Sequence, residues 1–465
     1  MKFTDRYAKV FQYLLPSPFT IALILTIVTY LIALIFTQPA EESTGSYALE
    51  VLGFWEEGLW QSALMVFAMQ MMLILVLGHV LALSPAVNRL LNGLVKFANN
   101  TANAALLVTF FTIAVALFNW GLGLIFGAIF ARKVAENAKQ NNLAINYPLI
   151  GAAGYSGLMV WHGGISGSSL TKVAESGHLK EMMQGVFSTS QIAQLPDQVT
   201  FSETVFSSMN AFASLGVLII LPLFLYLLAK KGSGDRIPQL EQRQSIVESK
   251  EEKVVGAERL DKSRWFATFL SLVILFYAIY KAFFEPTNST FGFITPDYLN
   301  FVLLGMGILL HGTFSNFLNA VNEAIGGAAG ILIQFPLYFG IMGIMKSTGL
   351  VQDFSAFFIS ISNENTFPIF TMISAGIVNV FVPSGGGQWA VQGPILIQAS
   401  EALNISLPKS IMALAYGDQL TNMLQPFWAL PLLGITGLKA KEILPYSLLL
   451  MLVGSLIYLS ALLLF

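Results

Sequence analysis

The run MALAYGDQLTNMLQP, residues 412–426, carries one carboxylate, Asp418, among neighbours suited to a membrane helix. A charge at a helix break inside a bilayer is costly unless a cation neutralises it, and an intramembrane acid is a functional candidate by default. Asp418 is therefore the candidate coupling residue, with Thr421, Asn422 and Asn119 as neutral companions. It either carries a proton or helps hold Na⁺, and Na⁺ at Asp418 and Asn422 is the single metal candidate. The bland alternative for Asp418 is helix capping. His162, in WHGGISGSS (161–169), is the matching ionisable group in the other half of the chain, a hydrogen-bonded packing histidine being its alternative. His79 and His311 lie toward span ends and read as structural, and His178 reads as exposed.

Two glycine-rich strings, FNWGLG (118–123) and VPSGGGQWAVQGP (382–394), interrupt long apolar stretches. Non-helical backbone at membrane depth leaves N–H and C=O groups unpaired, at several kcal/mol each unless something occupies them. A half-helix N-terminus offers N–H groups and partial positive charge to an anion, while C-termini and unwound carbonyls suit a cation. Glycine removes the Cβ that would keep a ligand off the main chain. The candidate substrate-binding residues at these breaks are Asn119, Trp120, Gly121, His162, Gly163, Gly164, Ser166, Ser168, Ser384, Gly385, Gly386, Gly387, Gln388, Trp389 and Gln425. None is Lys or Arg, which points to a substrate with one carboxylate and a small apolar remainder beside Trp120, Trp161, Trp389 and Phe427. The competing reading of the glycines is a packing turn between helices.

Enzyme motifs are weak. Gly164–Ile165–Ser166–Gly167 matches a serine-type intramembrane protease string, yet no second histidine is placed to serve it. Ala415–Tyr416–Gly417–Asp418 resembles an aspartyl-type string but lacks a partner acid. The G-x-x-x-x-G-K-[ST] phosphate loop is absent, which argues against direct ATP drive.

The elements that must position these residues follow from composition. The 465 residues are 55% hydrophobic and 11% charged, with mean hydropathy +0.69 and no cysteine. Such a chain is an all-α polytopic membrane protein. A net charge of −2 without a basic domain gives no support to nucleic-acid binding. Spans are expected near 17–37, 59–83, 147–170, 204–229, 265–284, 298–312, 326–346, 408–436 and 443–465. The stretches 104–130 and 366–402 read as re-entrant hairpins. With the N-terminus cytoplasmic, this arrangement puts 19 of the 24 Lys and Arg on the inner side, as the positive-inside rule requires.

The chain then divides into a first repeat, 1–229, with a cytoplasmic-side hairpin at about 104–130, and a cytoplasmic linker, 230–264. A connecting helix and external loop follow over 265–297. The second repeat, 298–465, has an external-side hairpin at about 366–402. Each half runs hairpin, then broken span, and the halves are expected to be inverted. Paired interrupted segments of this kind are the sequence pointer to a secondary-transporter site.

VPSGGGQWAVQGP, with WHGGISGS upstream and FTDRYAK…LPSPFTIA…LT at the N-terminus, resembles the bacterial short-chain fatty acid uptake transporters over essentially the whole chain. The resemblance implies an inner-membrane carrier for monocarboxylates such as acetoacetate and butyrate. It also implies membership of a wider ion-transporter superfamily with inverted repeats, two hairpins and homodimeric elevator motion. The expected function is cation-coupled uptake with no cofactor beyond Na⁺ as a candidate coupling ion. Alternatives are a carrier for another small anion such as a dicarboxylate, an intramembrane hydrolase and a passive channel.

Overall fold

The computed structural model describes residues 16–184, 187–232, 235–240, 256–285, 293 and 295–465. The N-terminal basic residues and most of the linker lie outside this set. Among the described residues the chain is helical, with no strand and two isolated bridges. Seven helical stretches are long and apolar enough to cross a bilayer: Pro18–Phe36, Ser62–Leu83, Thr101–Phe118, Ser208–Lys231, Arg264–Phe283, Phe314–Ser347 and Ala440–Leu464. Their outward faces are apolar. Trp265, Phe276 and Phe283 on Arg264–Phe283 are each more than 70% exposed, which in this class of protein is lipid-facing surface.

Helix starts are capped by short polar side chains, as expected where water cannot satisfy the first N–H groups. Asn100 accepts from the Asn103 N–H, Ser207 from that of Asn210, and Asn119 from that of Leu122. Thr44–Leu59, a helix outside every expected span, packs on Ala329–Ser347 through small residues. A Cβ at Gly58 would lie 2.6 Å from the Phe339 carbonyl, and one at Gly340 would lie 2.6 Å from the Trp55 ring. Close backbone approach of this type is how membrane helices gain packing energy.

Thr101–Phe118 turns at Asn119, whose backbone is extended, and returns as Trp120–Gln140. The return is antiparallel: Gly123 lies against Ala116 and Gly127 against Thr112. The arms, at 18 and 21 residues, run past the expected 104–130. The Asn100 cap starts the first arm earlier. The polar stretch ARKVAENAKQ continues the second arm as an amphipathic helix with Arg132 and Lys133 both on Glu136. Hydropathy alone ends the hairpin where its apolar stretch ends.

The second hairpin runs Phe367–Phe381, then Gly385–Ala402. The non-helical break expected in VPSGGGQWAVQGP is shorter than its glycines imply. Only Val382 to Ser384 leave the helix, and Gly385, Gly386 and Gly387 form the first helical turn with Ser384 as N-cap. The glycines permit close approach of a helix N-terminus rather than an irregular loop.

Each broken span is interrupted by short tight turns. Tyr147–Tyr155 tightens to a 3₁₀ turn over Ser156–Met159, unwinds, and resumes at Ser168–Val173. Leu407–Thr421 passes through a 3₁₀ turn, Asn422–Leu424, and an extended Gln425 to Pro426–Thr436. The segment between the first broken span and Ser208–Lys231 contains two more short helices, His178–Met182 and Thr189–Gln194. His178 is correspondingly half-buried rather than exposed, and its Nε2 accepts a hydrogen bond from Trp389 Nε1 at 3.1 Å.

Candidate functional site

The two broken spans cap each other. In the first, the N–H groups of His162 and Gly163 have no helical acceptor, and both donate to Gln419 Oε1 at 3.1 and 3.0 Å. In the second, the carbonyls of Asn422 and Gln425 are freed by the break, and the Tyr155 hydroxyl lies 2.7 and 2.8 Å from them. Each half thus supplies the group that satisfies the backbone opened in the other. Asn210 completes the first break, donating from Nδ2 to the Gly163 carbonyl at 2.8 Å and accepting from the Tyr416 hydroxyl.

The hairpin tips are seated in the same place. The Trp120 N–H donates to Ser166 Oγ at 3.0 Å and the Ile165 N–H to the Leu117 carbonyl at 3.0 Å, clasping the first tip to the WHGGISGSS segment. At the second tip, Gln425 Nε2 donates to the carbonyls of Asn379 and Val380, the last of their helix. Asn379 Nδ2 reaches the Asp418 carbonyl and Asn422 Oδ1. The start of Gly385–Ala402 then abuts the centre of the site: a Cβ on Gly385 would lie 2.7 Å from Trp161, 2.9 Å from His162 Cε1 and 3.3 Å from Asp418 Oδ2.

At that centre His162 Nδ1 stands 3.2 Å from Asp418 Oδ2, and both side chains are fully buried. His162 Nε2 accepts from the Ser169 N–H at 3.1 Å and lies 2.7 Å from Ser169 Oγ. An Nε2 that accepts fixes the neutral tautomer, so the proton sits on Nδ1, facing the carboxylate. The Nδ1–H is not aligned on Oδ2, and neither atom has another hydrogen-bond partner. Asp418 Oδ1 accepts from Asn422 Nδ2 at 3.2 Å. Among the buried amide oxygens of the second half that also lack donors are those of Asn379, Gln388 and Gln425. Beside the pair, Trp161 stacks on His162 and joins Trp120 and Trp428 in an aromatic cluster. The indole N–H groups of Trp161 and Trp428 are buried and unpartnered. Among the described residues no group of three or more His, Asp or Glu is placed to hold a metal ion.

Of the residues singled out from sequence, the structure brings together Asn119, Trp120, His162, Gly163, Gly164, Ser166, Gly385, Asp418, Thr421, Asn422 and Gln425. Ser168 faces Gly386 across an open gap, a Cβ there coming no nearer than 4.0 Å. Gly121 borders Asn119, Ile74 and Leu299. Ser384 and Gly387 line a cavity with Gln61, Leu64 and Lys346. Gln388 is spent inside the hairpin, on the Ala375 carbonyl and Gln392, and Trp389 on His178. Ser169, Asn210, Asn379, Tyr155 and Trp428 were not singled out. Asn210 and Asn379 are lone amides in apolar helices, a recognisable sign of interhelical bonding.

Buried polar breaks among helices long and apolar enough to cross a bilayer mark a multi-pass membrane protein. The family model for "Short chain fatty acid transporter" matches residues 1–465, and the chain belongs to that family. Relatives in Escherichia coli K12 and Haemophilus influenzae, both named "Putative short-chain fatty acid transporter", are each 35% identical to it. The first alignment covers 97% of this chain and 96% of the relative, the second 93% and 92%. Among solved structures, the Alcanivorax borkumensis YdaH transporter aligns over 95% of this chain and 98% of that one, at 15% identity and TM-score 0.43. Ser169, His162 and Asp418 do stand in hydroxyl–imidazole–carboxylate order, but relatives named as transporters identify a non-enzyme.

Proposed function

We propose that the protein takes up short-chain monocarboxylates such as butyrate or acetoacetate across the bacterial inner membrane, driven by a cation that neutralises Asp418. The observation that carries this reading is the His162–Asp418 pair, fully buried where both broken spans and the second hairpin tip meet. A carboxylate buried at this depth demands a cationic partner whenever it is ionised. No Lys or Arg among the described residues touches it, so the cation comes from solution. The unpartnered indole N–H groups of Trp161 and Trp428 are suited to one carboxylate, and the surrounding rings to a short alkyl chain.

A proton is one reading of the coupling ion, with Asp418 Oδ2, which has no hydrogen-bond partner among the described residues, as its carrier. Na⁺ is the second reading, favoured by the donor-free oxygens of Asn379, Gln388 and Gln425, since hard cations take oxygen ligands. In both cases the halves act as inverted repeats with the N-terminus cytoplasmic, and a homodimer moves the hairpins and broken spans together as an elevator.

Purified protein in proteoliposomes, given labelled butyrate under separately imposed proton and Na⁺ gradients, tests this. Accumulation should follow one gradient, with succinate a poor competitor. Equilibration without accumulation under either gradient would falsify the coupled-carrier reading.

A further inference from the structure

On the side of the second hairpin tip away from the His162–Asp418 pair lies a cavity of about 170 Å³. It is far larger than the roughly 10–15 Å³ a single water needs, and of a size for a small organic acid. Its rim holds Gln61, the residue before Ser62–Leu83, and Lys346, in the last turn of Ala329–Ser347. Leu64 and Val391 form apolar wall, and Ser384 and Gly387 form the end nearest the tip. Lys346 is exposed and has no ion pair or side-chain hydrogen bond with any described residue. Ser384 Oγ accepts from the Gly387 N–H at 3.2 Å, while its own hydroxyl proton has no acceptor among the described residues. An unpaired ammonium, apolar walls and a free hydroxyl at a helix N-terminus together match an amphiphilic anion.

We infer that this cavity is the external entry subsite for the transported monocarboxylate. Lys346 collects the carboxylate from solution, and Ser384 with the first turn of Gly385–Ala402 receives it at the tip. The alkyl chain lies on Leu64 and Val391. The inference deepens the uptake reading and rests on it. It adds a cation to the substrate's path that the buried site lacks, and so separates capture, where charge helps, from translocation, where a fixed Lys would hold the anion back.

The chain has no native cysteine, so Lys346→Cys gives one thiol. In vesicles of uncharged phosphatidylcholine, this variant should show a KM for butyrate roughly tenfold above wild type, the scale of one lost charge a few ångströms from an anion. Its maximal rate should be kept. A methanethiosulfonate reagent carrying an ammonium group should restore the KM, while a neutral one of similar size should not. Lys346→Arg should behave as wild type. Butyrate should slow modification of the thiol, which reads binding without transport. Unchanged KM in Lys346→Cys together with no protection by butyrate overturns the subsite. Protection only by added anionic phospholipid overturns it in favour of a lipid site. Protection by butyrate in a protein that transports none would keep the subsite and refute the uptake reading instead.

Discussion

Adjacent glycines at the second hairpin tip should respond in opposite ways to the same methyl group. At Gly385 an added Cβ lies 2.7 Å from Trp161 and 2.9 Å from His162, and both rings are buried and unable to swing aside. Forcing one extra carbon into a packed site costs about 1–3 kcal/mol. Helix propensity returns at most about 1 kcal/mol when alanine replaces glycine. Gly385→Ala should thus be destabilised by up to about 2 kcal/mol, with the tip displaced from the His162–Asp418 pair, and one decade of population goes with about 1.4 kcal/mol. At Gly386 a Cβ meets only Ser168, at 4.0 Å, so Gly386→Ala should fold as well as wild type or slightly better. Melting temperature in detergent and initial butyrate uptake in proteoliposomes measure both effects. Gly385→Ala should melt lower and transport more slowly, by up to roughly thirtyfold at about 1.4 kcal/mol per decade. Gly386→Val should keep its melting temperature but lose uptake, because a β-branched side chain fills the space through which a solute reaches the tip. A Gly385→Ala protein with wild-type melting and wild-type uptake would refute the packing argument.

Asp418→Asn keeps the shape of the pair and removes its charge; accumulation against either gradient should disappear, and a variant that still concentrates butyrate as wild type would take Asp418 out of the mechanism. Burial lowers the pKa of His178 below its ordinary 6.5, with the Glu175 charge opposing and Lys172 assisting. Its neutral ring, which accepts from Trp389, is therefore favoured. The contribution is full above pH 6.5 and is lost as external pH falls through the lower folded value. Limited proteolysis of residues 171–200 should accelerate on acidification in wild type but show no such pH step in His178→Phe. Single cysteines at the exposed positions Ser46 and Asn141 should label from opposite faces of intact cells, Ser46 from outside; labelling of both from one side would overturn the proposed topology.

The parts of this site that sequence reveals are those with unusual composition. Three consecutive glycines, a lone aspartate and a lone histidine in apolar surroundings identify both ends of the ionisable pair. The Asn379, Asn210 and Tyr155 roles are harder to see, because one amide or phenol in an apolar helix is common and its partner is chosen by packing. Gln419 is 257 residues from His162 in the chain, and no spacing rule spans that distance. Hydropathy also misplaced the hairpin ends. Asn100 starts the first hairpin by capping rather than by hydrophobicity, and ARKVAENAKQ extends it through charge pairing on an amphipathic face. The glycines were legible as a break but not as a helix start, since residue type alone does not distinguish an unwound tip from an N-terminal turn.

Mutual capping of the broken spans also bears on how the chain is made. The N–H groups of His162 and Gly163 are synthesised some 250 residues before Gln419, their acceptor. At about 5–20 residues per second, that polar backbone waits roughly 13 to 50 seconds for its partner. During this interval those two N–H groups lack the acceptor they have in the finished fold, in lipid, where each unpaired group costs several kcal/mol. The first half must therefore be held in a hydrated or protein-lined environment until the second arrives. An isolated N-terminal half would present an uncapped break to membrane quality control, so truncation after the linker should yield a rapidly degraded fragment rather than a half-transporter.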